Sequence, residues 1–142
     1  MKVIVASHDL WPTPALASRV LAIMLSGDGV FAVRTSGYRP ASMIEDMALR
    51  IGSRIGVDVH SWVPPVSGSR AGYVRDVSMV EHSDHVYAFF APDRTMDGGT
   101  GHVVACALRA GIAVDAYELD SAGEVVEIGS DPGNLLPLYT GD

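Results

Sequence analysis

Cysteine is almost absent: Cys106 is the only one among 142 residues. A single thiol excludes an internal disulfide framework and a multi-cysteine metal site. Positive charge is also scarce. Ten Lys and Arg face 17 Asp and Glu, for a formal net charge of −7 and a pI near 5.0. That balance argues against nucleic-acid partners and against an anionic membrane surface. Long apolar runs are missing, so no segment reads as a membrane span. The opening "MKVIVASHD" has one Lys and a short apolar stretch, which reads as a first β-strand and not as a signal peptide. The expected location is cytoplasmic.

What is present fits one globular domain. The chain is 48% hydrophobic and 19% charged, which suffices for one real core. No internal repeat or low-complexity segment interrupts it. Strand-like and helix-like segments alternate instead. "KVIVA" (2–6) is a continuous apolar run, the pattern of a strand covered on both faces. A helix follows, with Thr13 as N-cap, Pro14 in its first turn, and Leu16, Val20, Ile23 and Met24 on one face. Gly27 and Gly29 end it. A second strand is expected at 30–33, a loop "RTSGYRP" after it, and a second helix over 41–56. The alternating "VDVHSW" (57–62) reads as a third strand nearer an edge, followed by a Pro-, Gly- and Ser-rich surface loop. A short helix over 74–83 precedes "HVYAFFA" (85–91), the most hydrophobic strand and therefore a central one. A Gly-rich turn, a helix from about 101 to 111 and a fifth strand at 112–117 complete the core. The tail from 118 is expected to add a strand at 124–128 and then an irregular end.

This alternation predicts an α/β fold: a doubly wound, Rossmann-like parallel sheet of five or more strands in a single domain spanning 1–142, with its core in 1–117. In the common 3-2-1-4-5 order the first and fourth strands are neighbours. The loops beyond them, "SHDLWPT" and "APDRTMDGGTG", then border the crevice where such sheets bind ligands.

The second of those loops leads into "DGGTGH" (97–102). A tight turn needs one glycine, and here there are three. Free N–H groups at a helix start, with glycines that admit close approach and the helix dipole behind them, suit a phosphate. Thr100 adds a hydroxyl and Arg94 a charge. The plain alternative is a turn that only reverses the chain, and the glycine cluster alone does not decide between the two.

Other constellations are weaker. His82 and His85, with Glu81 and Asp84, have i, i+3 spacing, but a helix-terminal His on the dipole accounts for the pattern, and no metal is expected. His102 at a helix start suits phosphate binding or acid catalysis, or simply meets solvent. His60 is expected on a strand face toward water. Cys106, between alanines on a helix, reads as a small buried filler and not as a nucleophile. "Ser7-His8-Asp9" is not a triad, since adjacent residues do not converge. Trp11 and Tyr38 stand in ligand-side loops, where each suits stacking on a base or packing as a lid. Arg70 and Arg75 flank a loop and a helix start. Arg75 suits phosphate, whereas Arg70 reads as solvated.

Over about the first 115 residues the chain resembles the SLOG superfamily, in particular its small YspA/YpsA-related branch. "ASHD" (6–9) is similar to that branch's first turn, and "GYVRDVSMV" (72–80) to its G-x-x-R-N-x-x-M-V helix. "SDHVYAFF" resembles its fourth strand, and "GGTGHVVACALRAGIAV" its G-G-T-x-H ending. The resemblance implies a fold for nucleotides or nucleotide-derived ligands. Ser7, Arg75, Gly98, Gly99, Thr100 and His102 match its pattern. Departures are Ala6 for Gly, His8 for Arg, Asp76 for Asn, and a second loop that keeps Gly37, Arg39 and Ala41 but loses the His, one Gly and the final Asp. The Lonely Guy phosphoribohydrolases of this superfamily carry a Glu in the fourth loop's motif. Here that position is Ala105, so the expected acid for glycosidic cleavage is absent, unless Asp9, Asp93 or Asp97 substitutes.

The expectation is therefore a binding module for a nucleotide-like small molecule, with no cofactor. Its ligand-binding set is Ser7, His8, Gly37, Arg39, Arg75, Gly98, Gly99, Thr100, Gly101 and His102. The alternatives are a nucleotide N-glycosidase with a non-standard acid, and a ligand-free interaction or scaffold protein. Hydrophobic helices to spare, and the resemblance, leave room for a homodimer.

Overall fold

The computed structural model describes residues 2–26, 31–36, 39–63 and 70–141. Its first strand, β1 (Val3–Ser7), is buried at every position. That follows from its unbroken apolar run: Ile4 and Ala6 face one side of the sheet, Val3 and Val5 the other. Helix α1 (Pro14–Ser26) buries Leu16, Val20, Ile23 and Met24, the face read from the sequence. β2 (Phe31–Ser36), β3 (Arg39–Pro40), α2 (Met43–Ile55) and β4 (Val59–Trp62) follow. Next come α3 (Ala71–Glu81), β5 (His85–Phe90), α4 (Gly98–Arg109), β6 (Ala113–Leu119) and β7 (Val125–Gly129). A short helix α5 (Pro132–Leu135) and a 3-10 turn (Leu136–Leu138) end the described chain.

The parallel strands run β4-β2-β1-β5-β6, with β7 antiparallel on the β6 edge. This is the doubly wound order expected from the sequence. β1 and β5 pair directly, with Ser7 opposite Phe89 at the carboxyl ends. β4 pairs β2 at one edge. One face of the sheet packs with Met79 and Val80 of α3 and Val103, Val104, Ala107 and Leu108 of α4. The other packs with α1 and with Ile44 and Ala48 of α2. No helix among the described residues is long and apolar enough to cross a membrane.

Boundaries differ from the sequence reading in several places; β4 begins at Val59 and not at 57, and β6 runs to Leu119 and not to 117. α4 begins at Gly98, not near 101, so the glycines form its first turn. Extended Asp97 caps that turn, and its carbonyl accepts from Gly101 N–H at 3.1 Å. Glycine's poor helix propensity disguises such a start. β2 continues to Ser36 and hairpins onto β3, where the sequence suggested only a loop. α3 starts at Ala71 and not at 74. The tail is not irregular after its strand: Asp131 caps α5 by accepting from Gly133 N–H at 2.9 Å, with Pro132 in the first turn.

Candidate functional site

The site lies where the sheet reverses direction, at the carboxyl ends of β1 and β5 and the amino end of α4. Each glycine of "GGTG" has its own physical reason. Gly98 has φ +68°, which a β-carbon strains. At Gly101 a β-carbon would stand 1.9 Å from the Met96 carbonyl oxygen, so only glycine lets the helix start against the preceding loop. At Gly99 it would meet Arg34 Nη1 at 3.0 Å. Met96 itself is buried with φ +71°, and Asp93 has φ +57°, so the loop from β5 to α4 holds two non-glycine residues in the left-handed region.

The close approach that the glycines permit is thus to Arg34, a residue without a place in the sequence-derived set. Arg34 ends the apolar part of β2 and is 4% exposed. Its Nε donates to Glu45 Oε2 at 3.2 Å and its Nη2 to Glu45 Oε1 at 2.6 Å. Nη2 also donates to the Ser7 carbonyl and to Thr100 Oγ1, both at 3.0 Å. Nη1 has no hydrogen-bond acceptor among the described residues. Burial opposes the guanidinium charge, but Glu45 outweighs it and raises the Arg34 pKa.

Glu45 is fully buried and anchors three elements. Its carboxylate accepts from Ser7 N–H at 3.2 Å and from Arg34 N–H at 2.8 Å. It also meets Ser42, the N-cap of α2: Glu45 N–H donates to Ser42 Oγ, and Ser42 Oγ to Glu45 Oε1, each at 3.1 Å. The sequence reading missed this residue; the S-x-x-E spacing at 42–45 is the signal that could have marked it. Nothing in the sequence marked Arg34.

His8 staples the loops. Its Nδ1 accepts from Ala91 N–H at 2.8 Å, and its Nε2 lies 2.9 Å from the Asp97 carbonyl. An acceptor at Nδ1 and a donor at Nε2 define a neutral imidazole. Burial, with Arg94 and Arg34 nearby, lowers its pKa, in agreement with that tautomer. Ser7 Oγ donates to the His8 carbonyl at 2.7 Å, so its hydroxyl faces its own chain.

A second charged cluster joins α3 to α4. Arg75 pairs with Asp76 Oδ1 at 3.0 Å, and Asp76 Oδ2 accepts from His102 Nδ1 at 2.9 Å. All three are buried. Burial alone lowers the His102 pKa, but the bonds to Asp76 and Cys106 outweigh it and raise the value to about 9. Between the two helix starts lies a crevice of about 210 Å³, lined by Gly72, Tyr73, Arg75, Asp76 and Gly99. A wider concavity, about 780 Å³, lies elsewhere, along the outer face of α3.

The structure therefore brings together Ser7, His8, Arg75, Gly98, Gly99, Thr100, Gly101 and His102 of the expected set. Gly98 and Gly99 are exposed, and Thr100 and His102 are buried. Arg39 is exposed on β3. Gly37 and Tyr38 lie outside the described residues. Trp11 is 73% exposed. Asp9 accepts from Met43 N–H at 3.0 Å at the start of α2, and Arg94 leans on Asp97 at 3.4 Å. Ala105 is fully buried. His82 Nδ1 lies 2.8 Å from the Ser78 carbonyl, and His85 Nε2 2.7 Å from Asp115 Oδ2. No three metal-ligating side chains converge among the described residues. No protein-family model matches this chain, and no curated protein does.

Proposed function

We propose that the chain is a SLOG-like module that binds a nucleotide or nucleotide-derived ligand through a phosphate at the amino end of α4. One observation carries this reading. The N–H groups of Gly98, Gly99 and Thr100 and the Nη1 donors of Arg34 have no acceptor among the described residues, and they gather at the exposed glycine pair. A helix start supplies amides and partial positive charge, and the guanidinium adds fixed donors of fork geometry. The adjacent crevice offers Tyr73 and Arg75 to the rest of the ligand. Binding is preferred over N-glycosidic hydrolysis because Ala105 supplies no acid.

The test is a thermal-shift and calorimetric titration of the full chain with AMP, ADP, ATP and inorganic phosphate. A ligand at a hundred times its Kd adds about 2.7 kcal/mol of stability. A saturable shift with a nucleotide, and release of no free base, supports the reading. Release of base identifies the hydrolase. No shift across the panel refutes the binding reading and favours a scaffold.

We also propose a homodimer through the outer face of α3. Tyr73, Val74 and Val77 are exposed there, with Arg70 at one end and Glu81 at the other. An antiparallel two-fold pairing of this face sets each Arg70 against the partner's Glu81. Sedimentation of wild type against Val77→Asp reads it: a monomeric wild type refutes the pairing.

A further inference from the structure

The crevice beside Gly99 is bounded by two helix starts and not by one. Gly72 is the second residue of α3 and Gly99 the second of α4, and both line the same space of about 210 Å³. Neither start is closed by a side chain. Arg70 stands at the N-cap of α3 and Asp97 at that of α4, and neither side chain accepts from the amides that follow. On α3 the Val74 N–H donates to the Arg70 carbonyl at 3.1 Å. The amides before it, of Ala71, Gly72 and Tyr73, have no acceptor among the described residues, as those of Gly98, Gly99 and Thr100 have none on α4. The topology explains the pairing. β4 and β5 run the same way, so the helices that follow them begin at the same edge of the sheet, side by side.

Two helix starts alone hold water as readily as a ligand. The side chains beside them point to an anion. Arg34 is 4% exposed, and its Nη1 lies 3.0 Å from where a Gly99 β-carbon would stand. No fully buried side-chain nitrogen or oxygen among the described residues lacks a hydrogen-bond partner. Nη1 has no acceptor there, so it opens outward, at the glycine that lines the crevice. Its N–H pair is presented to whatever enters. From the α3 side Arg75 lines the same space, sharing its carboxylate partner Asp76 with His102. The space above Gly72 is open: a β-carbon there would have Arg75 Nη2, at 3.6 Å, as its nearest neighbour outside the helix backbone.

We infer that the crevice is a second anion subsite, and that the ligand carries two linked phosphoryl groups. One meets the start of α4 and Arg34 Nη1; the other meets the start of α3 and Arg75. This rests on the phosphate reading of α4 proposed above and narrows it from phosphates in general to diphosphates. The volume agrees. Pockets that enclose a whole small ligand run from about 300 Å³ upward, so this crevice holds part of one, with the nucleoside or sugar outside it. Because Gly72 and Gly99 border one small space, the two anions it takes are neighbours on one bridge and not remote groups. A monophosphate at Gly98 and Gly99 would leave the α3 amides to water.

The experiment is calorimetric titration of the full chain, at fixed ionic strength, with inorganic phosphate, pyrophosphate, AMP and ADP. Pyrophosphate should bind with a Kd about tenfold or more below that of phosphate, and ADP should exceed AMP by a similar factor. Gly72→Asp sets a carboxylate at the start of α3 beside Arg75, where the helix dipole favours it, and the gap between the two inorganic ions should close to about twofold or less. A pyrophosphate gap with no binding of ADP supports the subsite and assigns the ligand to a diphosphate without a nucleoside. Phosphate and pyrophosphate of equal affinity overturn the second subsite and leave the phosphate reading of α4 standing. A gap that survives in Gly72→Asp overturns it as well, since the second phosphoryl group then lies elsewhere. No binding of any of the four removes both readings. The wild-type comparison decides the matter even if the variant misfolds.

Discussion

Replacing Glu45 with glutamine tests the centre of the site with a change of almost no volume. The wild-type carboxylate takes five donors: the Ser7 and Arg34 amides, Arg34 Nε and Nη2, and the Ser42 hydroxyl. A glutamine keeps one acceptor oxygen and turns the other into an NH₂ that faces donors. Arg34, 4% exposed, also loses its counter-charge. Breaking a buried pair by removing one partner is worth about 3–5 kcal/mol. For a chain of this size each kcal/mol moves Tm by roughly 2–4 °C. The expected fall is therefore on the order of 10 °C in a melt followed by circular dichroism, with an unchanged urea m-value. Arg50→Gln is the matched control. Arg50 Nε lies 2.8 Å from Asp46 Oδ2, but its side chain is 74% exposed, and screening limits the effect to about 0.5 kcal/mol. If Glu45→Gln costs no more than Arg50→Gln, the buried network does not hold β1, β2 and α2 together, and the reasoning fails.

Gly101→Ala, whose new carbon would meet the Met96 carbonyl at 1.9 Å, should destabilise by about 3 kcal/mol, read by urea melts. Gly99→Asp should behave in the opposite way. Its carboxylate lands beside Arg34 Nη1 at a helix start, so Tm should hold or rise while any nucleotide-induced shift disappears. His102 has a folded pKa of about 9, above the ordinary 6.5. Its stabilisation is complete below about pH 6.5 and lost as pH rises through 9, a fall of about 3 kcal/mol in urea melts that His102→Gln should abolish. His8 has the opposite sign: its folded pKa is lowered, so its contribution is present above pH 6.5 and lost on acidification, and His8→Gln should flatten the acid limb of the same curve.

The sheet was legible because its signals are local and redundant. Continuous apolar runs at 2–6 and 85–91 cannot be satisfied at an edge, and the helices between strands force parallel crossovers. The site was only half legible. "GGTG" announced a close approach, but glycine does not say to what. The answer, Arg34, lies 65 residues away in sequence from Gly99 and reaches the turn only because β1, between β2 and β5, is one strand wide. The contacts of His102 were out of reach for a similar reason: its i, i+4 contact with Cys106 is local, but its bond to Asp76 depends on how α3 faces α4.

That placement also fixes what kind of attraction the mouth of α4 offers. Arg34, the guanidinium nearest Gly99, enters with its charge already matched by buried Glu45, whereas Asp76 is shared between Arg75 and His102. On the proposed phosphate reading, an anion at Gly98 and Gly99 would therefore gain little from net charge at Arg34. What remains is directional: two N–H donors on Arg34 Nη1, held in place by Glu45, and three backbone amides at the start of α4. If the proposed reading holds, such a site would bind through geometry more than through field. Its affinity should fall only shallowly with salt, yet collapse on Arg34→Lys, which keeps the charge and loses the fork. A steep salt dependence with an unaffected lysine variant would mean that the phosphate is held by exposed cations such as Arg94 instead.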